Sequence, residues 1–180
     1  GTFLPELSQL LHSEGFRSKN ILVVVNTKNA AIRTYQYLQR EIQEQSKDGV
    51  INTDLQILST WVLALDRTEI IEKIKARLDP SKEGRLVNEP EKTLQGDIEN
   101  PHFHKEKRLI LVSTQVIEAG VDLSFEVVIR DFAPLDSIVQ VAGRCNRSME
   151  YGKEGGKMIL VELQDNSRGG GNAQSYFHQV

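Results

Sequence analysis

A single cysteine in 180 residues excludes an intramolecular disulfide framework, and with it the small secreted domains that such bridges hold together. Apolar runs are short, and none approaches the ~18 residues of a membrane span, so no membrane partner is expected. The opening Gly-Thr-Phe-Leu-Pro-Glu lacks the charged and apolar stretches of a secretory leader, which makes the cytoplasm the expected compartment. It also lacks an initiating Met, and the chain reads as a piece of something longer. Positive charge is not in excess: 22 Lys and Arg against 25 Asp and Glu leave a net charge of −3. Any nucleic-acid contact must therefore be local, because a bulk basic coat is absent. No Gly-x-x-x-x-Gly-Lys-Ser/Thr loop is present to cradle β- and γ-phosphates, and no Asp-Glu-x-x metal box follows a strand. His102 and His104 alternate in Pro-His-Phe-His, but no second ligand cluster accompanies them, so no metal site is expected. Cys145 has no nucleophile's surroundings and reads as packing.

What is present is ordinary globular material, 39% hydrophobic and 26% charged, of a length that suits one domain of roughly 100–200 residues. Five apolar runs read as strands: Ile21–Val25, Leu55–Leu58, Leu109–Val112, Val127–Ile129 and Met158–Val161. Continuous runs, as opposed to alternating ones, suit strands covered on both faces. Between them, Asn29–Gln45 and Arg67–Leu78 carry apolar residues at helical spacing. Ser137 to about Arg147 reads as a third helix with Asp136 or Ser137 as its cap, and residues 5–12 as a short leading helix. This alternation predicts an α/β fold with a largely parallel sheet. One domain is expected over 1–163. Within it, 79–107 reads as a polar, mobile insertion containing Pro80, Pro90 and Pro101. Residues 164–180, with Gly169-Gly-Gly171, read as a flexible tail or the start of a further segment.

Three strand ends share a pattern: Asn26-Thr27, Ser59-Thr60 and Ser113-Thr114. In an open parallel sheet, ligands bind at the carboxyl ends of the strands. Hydroxyls there either cap the next helix or hold phosphate oxygens. The sharpest element is Gln140-Val-Ala-Gly-Arg144-Cys-Asn-Arg147. On a continuous helix, residues 140, 144 and 147 would share one face. Two arginines then stand one turn apart with no Asp or Glu between Ser137 and Met149. Such a pair is either simply solvated or waits for an anion, since guanidinium forms bidentate charge-assisted bonds to phosphate. Upstream, Gly120-Val-Asp122 is either an ordinary turn or a place where backbone approaches a ligand.

Val112-Ser-Thr-Gln-Val-Ile-Glu-Ala-Gly-Val-Asp-Leu123, then Val127-Val-Ile-Arg-Asp-Phe-Ala-Pro-Leu-Asp-Ser-Ile138, then Gln140 to Arg147, together resemble motifs V and VI of superfamily 2 helicases. The variant resembles the CRISPR-associated helicase-nuclease of type I systems, and Val24-Val-Asn-Thr27 is similar to that family's motif IV region. The resemblance covers about residues 20–163. It implies the second RecA-like domain of a motor: a three-layer sandwich around a mostly parallel sheet. It implies Arg147 as arginine finger to the γ-phosphate of ATP, Arg144 on the same phosphates, and Gln140 positioning the γ-phosphate or the attacking water. Gly120 and Asp122 would lie beside the ribose. Asn26, Thr27, Thr60, Ser113 and Thr114 would contact a single DNA strand. ATP and Mg²⁺ would be held mainly by a first RecA-like domain. A nuclease domain and a guide-RNA surveillance complex would be the further partners, in a prokaryotic cytoplasm. The sequence departs from the family at Ser59-Thr-Trp61, where a basic residue usually stands. Trp61 either packs under the following helix or stacks on a base, a contact worth ~1–3 kcal/mol.

Two other classes compete. One is a non-catalytic nucleic-acid-binding or docking module of RecA-like fold, against which the set Gln140, Arg144 and Arg147 argues. The other is an unrelated α/β enzyme, such as a nucleotide-sugar transferase, which leaves the arginine pair unexplained.

Overall fold

The computed structural model describes residues 3–46, 53–59, 64–78, 108–118, 121–149, 151–152, 155–162 and 177–179. Thr60, Trp61, Gly120, His102, His104 and the segment 79–107 lie outside them. The elements run α1 (Phe3–His12), β1 (Ile21–Val24), α2 (Lys28–Ser46), β2 (Thr53–Leu58), α3 (Ala64–Leu78), β3 (Arg108–Ser113), β4 (Val127–Asp131), α4 (Leu135–Ala142), β5 (Lys157–Val161) and β6 (Phe177–Gln179). Short 3₁₀ turns stand at Gln115–Ile117 and Arg147–Met149.

The strands form one sheet in the order β2-β3-β1-β4-β5-β6. The first five are parallel, and β6 closes the edge antiparallel to β5 through Val161 opposite Phe177. The tail expected from 164 onward thus contributes a strand. Its three residues, Phe177-His-Gln179, carry no apolar run that would mark a strand.

Side-chain alternation divides the strands between two cores, as a pleat of period 2 requires. Ile21, Val23, Ile110, Val112, Val127 and Ile129 meet Leu7 and Leu11 of α1 and Ala31 and Leu38 of α2 on one face. Leu22, Val24, Leu109, Leu111 and Val128 meet Ile74 and Leu78 of α3, Val141 of α4 and Phe125 on the other. The result is a three-layer α/β sandwich. Each fully buried aliphatic side chain contributes roughly 1.5–3 kcal/mol, so both faces of the central strands must be covered.

Buried charges fasten the layers. Arg108 at the start of β3 donates from Nη1 to the carbonyls of Leu11 (2.7 Å) and Phe16 (3.1 Å), and from Nε to Thr53 Oγ1 (3.0 Å). It thereby satisfies the Leu11 carbonyl that the end of α1 leaves open, and shares the Phe16 carbonyl with Lys19 N–H. Burial, with Arg17 nearby, pushes this guanidinium down to about 10, still charged at neutral pH. On β2, Asp54 receives Arg77 of α3 at 2.6 Å, pinning that helix to the strand. Arg108→Ala is expected to cost about 2–4 kcal/mol, because the Leu11 carbonyl and Thr53 hydroxyl lose a buried partner. A fall in the urea midpoint with an unchanged m-value measures it.

Candidate functional site

Adjacent strands β1 and β4 send their connections to opposite faces of the sheet: α2 packs in one core and α4 in the other. Such a divergence opens a crevice at the carboxyl ends of the strands, where open α/β sheets bind ligands. Asn26, Thr27, Ser113 and Thr114 follow or end strands there, whereas Thr60, Trp61 and Gly120 lie outside the described residues.

Asn26, just past β1, is half-buried and fully engaged. Its Oδ1 accepts from Arg130 Nη1 at 2.7 Å and its Nδ2 donates to the Phe132 carbonyl at 2.7 Å. Thr27 is exposed and caps α2, its Oγ1 accepting from Ala30 N–H at 3.1 Å. A hydroxyl that accepts this cap bond keeps its own proton for a second partner. Ser113 is completely buried and donates to the Leu58 and Thr114 carbonyls, so its hydroxyl works within the sheet and not at its rim. Thr114 is buried too, starts the 115–117 turn, and makes no side-chain cap bond to it.

The third helix is shorter than its expected span and differently capped. α4 starts after Pro134, with no side-chain cap bond, and ends at Ala142. Asp136 and Ser137 both lie inside its first turn. The Ser137 hydroxyl instead accepts from Arg130 Nη2 at 2.7 Å and donates to Glu118 Oε1 at 2.5 Å. Gly143 closes the helix, and Arg144 and Arg147 fall beyond it. They therefore do not share a helical face with Gln140, which sits exposed on α4. What aligns them is a short parallel bridge between Phe125 and Cys145. Phe125 N–H donates to the Arg144 carbonyl, and Asn146 N–H to the Phe125 carbonyl, each at 2.9 Å. Arg147 N–H adds a bond to Ser124 Oγ at 3.0 Å. Both arginines thus stand on an arc strapped to the 121–125 segment.

Asn146 makes the arc possible. Its backbone is left-handed (φ 47°), which asparagine tolerates, and its amide side chain bonds Gly152 O and Tyr151 N–H. Gly156 passes so close that a Cβ there would stand 2.5 Å from that of Asn146, so only glycine fits. Burial pushes the Cys145 thiol up, against partial relief from the N–H groups of Lys157 and Val128.

The two guanidiniums differ. Arg144 Nη2 donates to the Glu118 carbonyl at 3.1 Å, while its buried Nε has no partner. Burial and the neighbouring Arg147 lower its pKa, and Asp122 opposes them. Arg147 is 42% exposed and pairs with Asp122, itself 70% exposed, at 2.6 Å. The sequence had not pointed to Glu118, Ser124, Arg130 or Asn146 as site residues, and to Ser137 only as a helix cap. Arg130 left a signal, a charge inside the run Val127-Val-Ile-Arg-Asp131, but its partners come from the end of β1, the loop after β3 and the first turn of α4.

Among the described residues no group of three or more His, Cys, Asp or Glu could hold a metal ion, and no helix is long and apolar enough to cross a membrane.

A parallel sheet with two covering layers defines a RecA-like α/β domain, and the paired-arginine arc follows α4, bridged to Phe125 just ahead of β4. The family model described as the C-terminal part of the CRISPR-associated nuclease/helicase Cas3 matches residues 17–150. The chain therefore belongs to this family, as its C-terminal RecA-like domain. It is 47% identical over 96 residues to the CRISPR-associated nuclease/helicase Cas3 of Haloferax volcanii, covering 53% of this chain and 9% of that protein. It is 27% identical over 150 residues to the one from Methanothermobacter thermautotrophicus, covering 83% of this chain and 14% of that protein. The crystal structure of T. fusca Cas3 with AMPPNP superposes with a TM-score of 0.64 at 22% identity, over 90% of this chain and 17% of that one. That likeness fixes the fold. The chain spans well under a fifth of the length of these relatives.

Two outcomes check the arc. Asp122→Asn is expected to change stability by less than about 1 kcal/mol, since the pair it breaks is exposed; urea denaturation measures this. Alkylation of Cys145 by iodoacetamide at pH 8 is expected to be markedly slower than that of free cysteine. The rate should rise as pH climbs toward the raised thiol pKa, and full reactivity should return in urea.

Proposed function

We propose that this chain is the C-terminal motor domain of an ATP-dependent single-stranded DNA translocase acting in CRISPR interference. The observation that carries the reading is the pair Arg144 and Arg147. Two guanidiniums stand side by side, one with an unpartnered Nε, the other held only by an exposed carboxylate. Like charges placed together at a surface are unfavourable until an anion joins them. A nucleotide triphosphate has the charge to do so, and these residues fit it.

ATP and Mg²⁺ would be held mainly by a first RecA-like domain that carries the phosphate loop. When bound there, ATP supplies the phosphoryl group whose transfer to water drives the motor. On closure Arg147 leaves Asp122 for the γ-phosphate, Arg144 reaches the same phosphates, and Gln140 orients the γ-phosphate or attacking water. The exchange is cheap because an exposed ion pair is worth at most about 1 kcal/mol. Gly120 and Asp122 then face the ribose. Thr27, with its free hydroxyl proton, and Thr60 and Thr114 take the strand backbone, where phosphate contacts position without reading sequence. The strand is the one displaced by a guide-RNA surveillance complex, passed on to a nuclease domain, all in a prokaryotic cytoplasm. The chain alone hydrolyses no ATP.

The test is DNA-stimulated ATP hydrolysis by the complete helicase-nuclease polypeptide. Arg147→Ala is expected to lower turnover by about 10³–10⁵-fold, the range found for arginine fingers. Unchanged turnover would remove the motor reading and favour a docking module.

A further inference from the structure

We infer that Glu118 is a positioning residue that aims the Arg144 guanidinium, through a buried clasp with Arg130 and Ser137. The inference rests on the motor reading above and deepens it. Glu118 ends the 115–117 turn and is where two sets of bonds cross. Its backbone carbonyl accepts from Arg144 Nη2 at 3.1 Å. Its carboxylate accepts from Ser137 in the first turn of α4 at 2.5 Å, and from Arg130 Nη2 of β4 at 3.3 Å. Arg130 is fully buried and reaches on to Asn26 Oδ1 at the end of β1.

The geometry separates aiming from touching. A carbonyl on a free loop would let Arg144 wander, because a long side chain has many rotamers and loses them only against a fixed partner. Here the carbonyl belongs to a residue whose own side chain is tied to a strand and a helix. One edge of the guanidinium is thereby occupied, and the remaining N–H groups keep a set direction. Glu118 itself touches no phosphate. It faces cations and hydroxyls of its own fold, and the buried Arg130 would resist losing its counter-charge.

The measurement is steady-state ATP turnover by the complete polypeptide with saturating single-stranded DNA. It compares wild type, Glu118→Gln, Arg144→Ala and the double variant. Glu118→Gln keeps shape and volume, and Ser137→Ala serves as a second, milder variant should Glu118→Gln fail to fold. Glu118→Gln is expected to lower kcat about 10–100-fold, as a misplacement of catalytic groups does, with KM for ATP little changed. In the Arg144→Ala background it should lower kcat no further, because the group it aims is gone. A merely structural role predicts the contrary: equal losses in both backgrounds, tracking a fall in Tm. That outcome, with Arg144→Ala itself damaging, overturns the inference and leaves the motor reading standing. Full activity of Arg144→Ala overturns both.

Discussion

A guanidinium buried in the middle of a protein must find acceptors and a counter-charge, since desolvating a cation costs several kcal/mol otherwise. Arg130 is that group here, and its needs organise the sheet's carboxyl edge. It draws Asn26 from β1, Ser137 from α4 and Glu118 from the loop after β3 into one cluster. Burial lowers its pKa, while Glu118 and Asp131 pull it back up, so the charge persists. Three chain segments that meet nowhere in sequence are thus held to one point. The connections of β1 and β4 diverge at this edge, and Arg130 lies buried between them.

The fold was legible because its signals are local. Val23, Leu111 and Ile129 sit in apolar runs that demand cover on both faces, and the strands they predicted are present within one or two residues. Helices α2 and α3 announced themselves through periodic apolar residues such as Leu38 and Ile74. The end of α4 did not. Gln140, Arg144 and Arg147 fit a helical spacing, but Gly143 ends the helix and Cys145 enters a bridge with Phe125. A residue-pair bond across some twenty positions leaves no periodic trace. The cap was misread for a similar reason. Ser137 has a capping residue's chemistry, and tertiary partners claimed its hydroxyl first.

The same reasoning divides the site residues. Arg144 and Arg147 could be singled out because two arginines with no acidic residue among their neighbours are costly without a purpose. Asn26 and Ser113 looked equally eligible, yet both spend their polar atoms inside the fold. Polarity at a strand end says that a hydrogen bond is needed there, not with whom. Thr27 shows that the alternatives need not exclude each other, because one hydroxyl both accepts and donates.

Rigid and yielding contacts are distributed with some consistency around the arginine arc. What holds the arc is backbone: Phe125 to Arg144 and Asn146, and Arg147 N–H to Ser124. What holds the arginine heads is weaker, a single carbonyl for Arg144 and an exposed carboxylate for Arg147. The proposed motor, which would release and re-form contacts in every cycle, is served by this order. The main chain keeps its geometry while side-chain bonds of at most about 1 kcal/mol are exchanged at the tips. If the strength lay instead in the Asp122 pair, the phosphate of the proposed motor would have to compete with a bond worth several kcal/mol, and the proposed closure would stall.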